Sequence, residues 1–390
     1  MFNKGKVLFN DMHHENKVFH YLAFNKLLTV FYFMISFRSF AVSMISIFLP
    51  IFIYTIRNSL FDLVLFAFFT YASMFVFSPF AAKMTSKIGN AHTMLFSIPF
   101  MFAFFGSLYF FDSLMISIPL LGVLYGFYES FFWMPFHDEF SILSKTKKVG
   151  KEVGVYRALT IGTKILGPII GALIITMYGF NLLFITIIGL TLIGLIPLLL
   201  TKDIKTKQPF SLKKSFLRKD TPLKFPFIGY GAVTFATVWL WPLLIFLFIS
   251  AYLELGLFGT IVNTITVIGV LIIGFRADKI NKIKLIKAGS ILFSSSLLIR
   301  AFATTIFQAL SAWIFGALTW PLLDVPFEAL TYAKSKKLNK LEFFVAREHA
   351  LCIGRFSILG VVAILLFYPT IALPIAIFVS GLFGLLYWKV

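Results

Sequence analysis

The stretch "GVYRALTIGTKILGPIIGALIITMYGF", residues 154–180, carries the question that decides the fold. It supplies the ~20 apolar residues that a helix needs to cross a bilayer. Yet Lys164 sits about ten residues inside it, with apolar neighbours on both sides. An ammonium at the centre of such a helix costs roughly 2.5–3.5 kcal/mol on insertion scales, so it is kept for a partner or a ligand. What Lys164 is for depends on how many other charges the chain hides at that depth.

The 390 residues are 59% hydrophobic and 13% charged, with 51 phenylalanines and a mean hydropathy of +0.92. Those values exclude a soluble globular protein and indicate a polytopic membrane protein. The lone cysteine, Cys352, lies in an apolar run, so no intramolecular disulfide can form. Residues 1–26 lack a compact apolar h-region, and the first span is expected to serve as the targeting signal. His13, His14 and His20 in that segment have no fixed ligand spacing and read as part of a solvated tail. His137 and Asp138 end the fourth span with no further ligand in view, so neither a metal nor a cofactor is expected. No nucleophile–base constellation supports an enzyme.

Twelve apolar spans are readable: 29–54, 60–82, 93–111, 114–136, 154–178, 181–200, 225–250, 256–275, 286–306, 308–330, 345–368 and 371–388. The longest polar break, 201–224, carries eight Lys/Arg against two Asp and divides the chain six plus six. The expected organisation is a segment 1–28, a half 29–200, a basic linker 201–224 and a half 225–390. Twenty-eight of the 35 Lys and Arg fall on one side of this map, and the opposite loops hold only Arg57. The positive-inside rule then puts both termini in the cytoplasm of a multi-pass protein of the plasma (inner) membrane. The net charge of +19 thus has a topological origin, with attraction to lipid headgroups and no call for nucleic acid. A monomer is expected.

The halves also repeat. "PFHDEFSILSK" (135–145) aligns with "PFEALTYAKSK" (326–336) at an offset of 191, which superposes Lys164 on Arg355. Internal symmetry of this kind accompanies carriers whose site lies near mid-membrane between the halves. The loop "GFRADKINKIK" (274–284), with Asp278, Lys279 and Asn281, resembles the loop signature of the major facilitator superfamily. The matching segment "AKMTSKIGN" (82–90) keeps Lys87 and Gly89 but has Ser86 where the signature has its acid, which questions a gate that depends on it. "GTKILGPIIGALI" resembles the Gly-Pro-x-x-Gly motif of the antiporter branch at Gly167, Pro168 and Gly171. The resemblance covers the whole chain and implies an all-α fold of twelve transmembrane helices in two pseudo-symmetric six-helix halves, and secondary transport without an intrinsic ATPase. Span four, which has Glu129, lacks the arginine found there in many proton-coupled antiporters.

Six ionisable residues are read at membrane depth: Arg38, Glu129, Lys164, Arg300, Asp324 and Arg355. At 1.5 Å per residue, Arg38 and Glu129 share a depth and are expected to pair, with Glu129 the candidate proton carrier. Lys164 and Arg355 are expected as a cation pair facing a central cavity, met either by Glu129 and Asp324 or by a visiting anion. Trp239, Trp241 and Trp320 could line that cavity. Arg300, near the outer end of a peripheral span, is expected to snorkel. Arg157 and Arg347 read as loop contacts. The expected function is alternating-access transport of a small anionic or amphiphilic solute, with protons as a coupling ion. Proton-driven export of lipophilic compounds is the alternative, and a non-transporting membrane receptor or scaffold is the alternative of another class.

Overall fold

The structure, a computed structural model, describes residues 26–144, 156, 159–199, 203–205, 209–216, 222–276 and 281–390. Among these every regular element is a helix. The first half comprises α1 (Lys26–Ser46, resumed as Leu49–Arg57), α2 (Leu60–Ile88), α3 (Asn90–Phe96, resumed as Ile98–Tyr109) and α4 (Ile118–Leu143). Its last two helices, α5 and α6, are the arms of Gly167–Leu199 on either side of Gly179, whose φ of 81° turns the chain. The second half comprises α7 (Lys224–Ile249), α8 (Tyr252–Arg276), α9 (Lys282–Ala301), α10 (Ile306–Ser335), α11 (Lys340–Ile364) and α12 (Pro369–Phe383). Eight stretches are long and apolar enough to cross a membrane by length and composition alone, Leu159–Leu199 counting once for its two arms. The chain is an all-α polytopic bundle with two pseudo-symmetric six-helix halves.

The pseudo-symmetry is visible in the packing. In the first half α1 packs on the α5–α6 arms and α2 on α4, and in the second half α7 packs on α11 and α8 on α10. The halves meet along α2–α11 and α5–α8, which exchange under the same two-fold relation. Helix starts follow local chemistry. Asn339 caps α11 by accepting from the Glu342 amide at 3.3 Å, and Asn281 caps α9 by accepting from the amides of Ile283 and Lys284.

Several boundaries differ from those read in the sequence. α4 runs on to Leu143, so His137 and Asp138 lie within the helix and not at its end. α2 continues to Ile88, which makes most of "AKMTSKIGN" a helix closed by Gly89 at φ 106°. α10 begins at Ile306 and ends at Ser335, and α11 starts at Lys340, so Arg347 lies in its third turn and is buried. Polar side chains ended the hydropathy windows early; those of His137, Ser141 and Arg347 are buried against other helices, whereas Lys83 and Lys87 at the end of α2 are exposed.

Candidate functional site

Two cavities lie between the halves. One, of about 420 Å³, is walled by α1, α5, α7, α8, α9 and α10 and reached by Tyr125, Trp239, Trp313, Trp320, Asp324 and Arg300. The other, of about 300 Å³, lies toward the end that carries the basic loops and is lined by Glu129, Trp133, His137, Glu328, Arg347 and Arg355 among others. Lys164, Trp239, Tyr125 and Tyr230 border both.

Lys164 sits in a break of the fifth span: residues 159–163 are helical, 164–166 form a turn and bend, and α5 resumes at Gly167. The cause is Pro168, which has no N–H for the carbonyl four residues back, that of Lys164. Asn263 of α8 supplies the missing donor to that carbonyl at 2.9 Å. Gly167 and Gly171 let α1 approach, since a Cβ at either would overlap Ser43 or the Met44 carbonyl.

The expected Arg38–Glu129 pair is present. Arg38 Nη2 donates to Glu129 Oε1 at 2.5 Å and Nε to the Tyr128 hydroxyl at 3.1 Å, with the guanidinium carbon 3.8 Å from the Phe132 ring centre. The other carboxylate oxygen accepts from Trp133 Nε1. Lys164 and Arg355 do both border the smaller cavity, but Arg355 is met by a carboxylate that the sequence reading did not count: its Nη1 donates to Glu348 Oε1 at 2.6 Å. Neither Glu129 nor Asp324 reaches it. Asp324, 1% exposed, accepts from the Tyr230 hydroxyl at 3.1 Å.

Arg347 makes a buried network. Its Nη2 donates to Glu328 Oε1 and its Nη1 to His137 Nε2, both at 3.0 Å. A guanidinium has no acceptor, so His137 Nε2 accepts and its Nδ1–H donates to the Tyr332 hydroxyl at 2.7 Å. His137 and Glu328 are equivalent positions under the 191 offset, and both converge on Arg347. Ser141 and Ser335 are 2.9 Å apart, and the Lys336 ammonium donates to the Ser144 carbonyl, which closes the basic end across the pseudo-two-fold axis.

Arg300 does not snorkel. It is 1% exposed, turned inward over Trp241, and borders the larger cavity. Of the residues expected in the loops, Lys87 is exposed in the last turn of α2, and Asn281 is the α9 cap. Asp278, Lys279 and Arg157 lie outside the described residues, as do His13, His14 and His20. An acid from further along the chain stands beside the 82–90 segment: Asp203 accepts from the Ala91 and His92 amides at the start of α3 and lies against Gly89, where a Cβ would overlap it. Among the described residues no group of three or more His, Cys, Asp or Glu could hold a metal ion.

This architecture, two pseudo-symmetric helical halves around cavities with charged and aromatic walls, is that of a membrane carrier, and the family match agrees. The sequence profile of the Major Facilitator Superfamily matches residues 31–337, and the chain belongs to that superfamily. It is 23% identical over 308 residues to the "Uncharacterized protein YqgE" of Bacillus subtilis (strain 168), covering 75% of this chain and 70% of that one. Its fold is similar to that of the human organic anion transporter MFSD10, with TM-score 0.70, 10% identity and coverage of 93% of this chain and 98% of that one. The E. coli fucose:proton symporter FucP gives 0.67 at 14% identity (93% and 96%). A bacterial homologue of the iron transporter ferroportin gives 0.68 at 12% identity (93% and 99%).

Proposed function

We propose that this protein is a secondary active carrier of a small anionic or amphiphilic solute, which it holds in the 420 Å³ cavity and releases by alternate rocking of the two halves. The observation that carries the reading is the cavity itself. Its volume falls within the ~300–1,000 Å³ of small-molecule sites, and it lies between the halves with indole and phenol walls and the charged groups Lys164, Asp324 and Arg300. The termini and basic loops are assigned to the cytoplasm of the plasma membrane by their Lys/Arg excess, and the working unit is a monomer.

Proton coupling is assigned to a buried carboxylate. Glu129 borders the smaller cavity and Asp324 the larger one, so each could exchange a proton with a water-accessible space. Arg38 and Glu129 belong to the same half, however, so rigid rocking alone does not part them. A coupling role for Glu129 therefore requires Arg38 to find another acceptor when Glu129 is protonated. The resemblance to an organic anion transporter supports an anionic solute through the fold alone.

Counterflow in proteoliposomes tests the reading. Purified protein loaded with one organic anion should accumulate the same labelled anion without a gradient, and an imposed pH difference should raise the level. Exchange of amphiphilic cations only would move the export of lipophilic compounds ahead. Absence of exchange for anions, cations and neutral solutes alike would favour a receptor or scaffold.

A further inference from the structure

Three arginines are buried in the described bundle and a fourth, Arg355, is half-buried, and three of the four are answered by carboxylates: Arg38 by Glu129, Arg347 by Glu328 and Arg355 by Glu348. Arg300 is different. No carboxylate lies within ion-pair reach of it among the described residues, and its Nε and Nη1 have no hydrogen-bond partner. Its guanidinium carbon is 5.1 Å from the Trp241 ring centre and 5.8 Å from that of Phe293. These rings temper the positive charge but accept none of its in-plane N–H groups. A buried guanidinium in this condition is costly unless something pairs with it.

The surroundings are built to admit this side chain. Its Nη2 lies over Gly316 of α10, where a Cβ would overlap it, so the glycine lets the guanidinium rest against α10 in this position. On the facing side, α7 makes a π-helical turn at Ala236–Leu240, a local widening often found at functional sites. Trp239 in that turn borders the cavity and Trp241 just after it lies against Arg300, while Trp313 and Trp320 add two more indoles to the wall. Planar forks of this kind match carboxylates in a bidentate manner. Asp324, in the same cavity, disfavours a second anionic group on the solute.

We propose that Arg300 is the anion anchor of the larger cavity and that the solute is a monocarboxylate whose planar apolar body lies among the indoles. This deepens the transport reading above and rests on it for the movement of the solute, though the binding step stands apart. The test uses full-length protein in detergent, with 2-naphthoate and benzoate as probes against 2-naphthamide, benzenesulfonate and inorganic phosphate. Binding is followed by tryptophan fluorescence and by thermal shift.

Wild-type protein should bind 2-naphthoate at least tenfold tighter than 2-naphthamide. Arg300→Gln should level the two, and Arg300→Lys, with charge but no fork, should keep part of the preference. Because Arg300→Gln removes an unpaired buried charge, the ligand-free variant should melt at or above the wild type. A melting point well below the wild type, with the carboxylate preference intact in Arg300→Lys and Arg300→Gln, would make Arg300 a structural group. Failure of both carboxylates to bind the wild type would overturn the proposal, and equal, Arg300-dependent binding of phosphate or sulfonate would overturn the carboxylate assignment. Naphthoate counterflow that survives Arg300→Gln would sink the anchor but leave transport standing. Arg300-dependent binding without counterflow would do the reverse.

Discussion

Replacing Glu129 by glutamine changes a single atom in outline and two interactions in substance. Both carboxylate oxygens accept, one from Arg38 Nη2 and one from Trp133 Nε1, each at 2.5 Å. A glutamine has one acceptor oxygen and must turn its amide N–H groups toward the other donor. The variant therefore loses a hydrogen bond, opposes two donors and leaves the Arg38 guanidinium, 4% exposed, without a counter-charge. Breaking a buried pair by removing one partner costs ~3–5 kcal/mol. The Phe132 and Trp133 rings, 3.8 and 5.0 Å from the guanidinium, offset part of this, at ~0.5–2 kcal/mol for a desolvated cation–π contact. A net loss of ~2–4 kcal/mol is expected, measured by thermal and denaturant unfolding of the detergent-purified protein. The double change Arg38→Met with Glu129→Leu should recover most of it, because no charge is then left buried and unpaired. If the double variant were less stable than Glu129→Gln alone, the pair would be a net stabiliser and this accounting would be wrong. In proteoliposomes held below the variant's melting point, Glu129→Gln should keep exchange and lose accumulation driven by pH. Retained accumulation would pass the coupling role to Asp324.

Asn263→Leu should cost ~1–3 kcal/mol by leaving the Lys164 carbonyl without its donor; stability equal to wild type would show that the break in the fifth span needs no support from α8. Gly171→Ala should force α1 and α5 apart and destabilise, whereas Gly189→Ala, with open space around it, should be neutral or stabilising by up to ~1 kcal/mol; the reverse order of melting temperatures would contradict the close approach. A cysteine placed at Lys213 should resist a membrane-impermeant reagent in intact cells, and efficient labelling would invert the span map.

How much of this was legible follows from the kind of signal each feature leaves. The apolar helices and the two-fold repeat were readable because they rest on runs of ~20 apolar residues and on a fixed offset. The Arg38–Glu129 contact was readable from equal depth on two helices. The break at Lys164 was also within reach, because Pro168 orphans the carbonyl four residues before it, but nothing local points to Asn263, 99 residues away, as the donor. Glu328, Arg347 and Glu348 were missed as buried charges because they lie near helix ends, where hydropathy windows grade into loops. Arg300 has the same sequence signature as a snorkelling residue, a cation in the last turn of a peripheral span. Only the gap at Gly316 and the indole of Trp241 show that it turns inward.

The placement of ion pairs bears on how the halves can move. Within the membrane bundle each described ion pair stays inside one half, whereas bonds between the halves are mostly neutral: Ser141 with Ser335, His137 with Tyr332, Asn263 with the Lys164 carbonyl. Neutral hydrogen bonds are worth only ~0.5–1.5 kcal/mol net, so rocking can exchange them for water without unpairing a buried charge. Two contacts with charged donors cross where the basic end closes, Arg347 with His137 and the Lys336 ammonium with the Ser144 carbonyl. His137→Phe should keep the ring stacked on Phe344, at 5.2 Å between centres, and leave Arg347 paired with Glu328. It would remove a bond to a charged donor worth ~1.5–3 kcal/mol, a shift of roughly 10–100-fold toward opening at that end. A cysteine placed at Ser335 should then react faster with a thiol reagent while the melting temperature falls little. Unchanged reactivity with a large loss of stability would instead mean that His137 holds the second half together through Arg347 and takes no part in the gate.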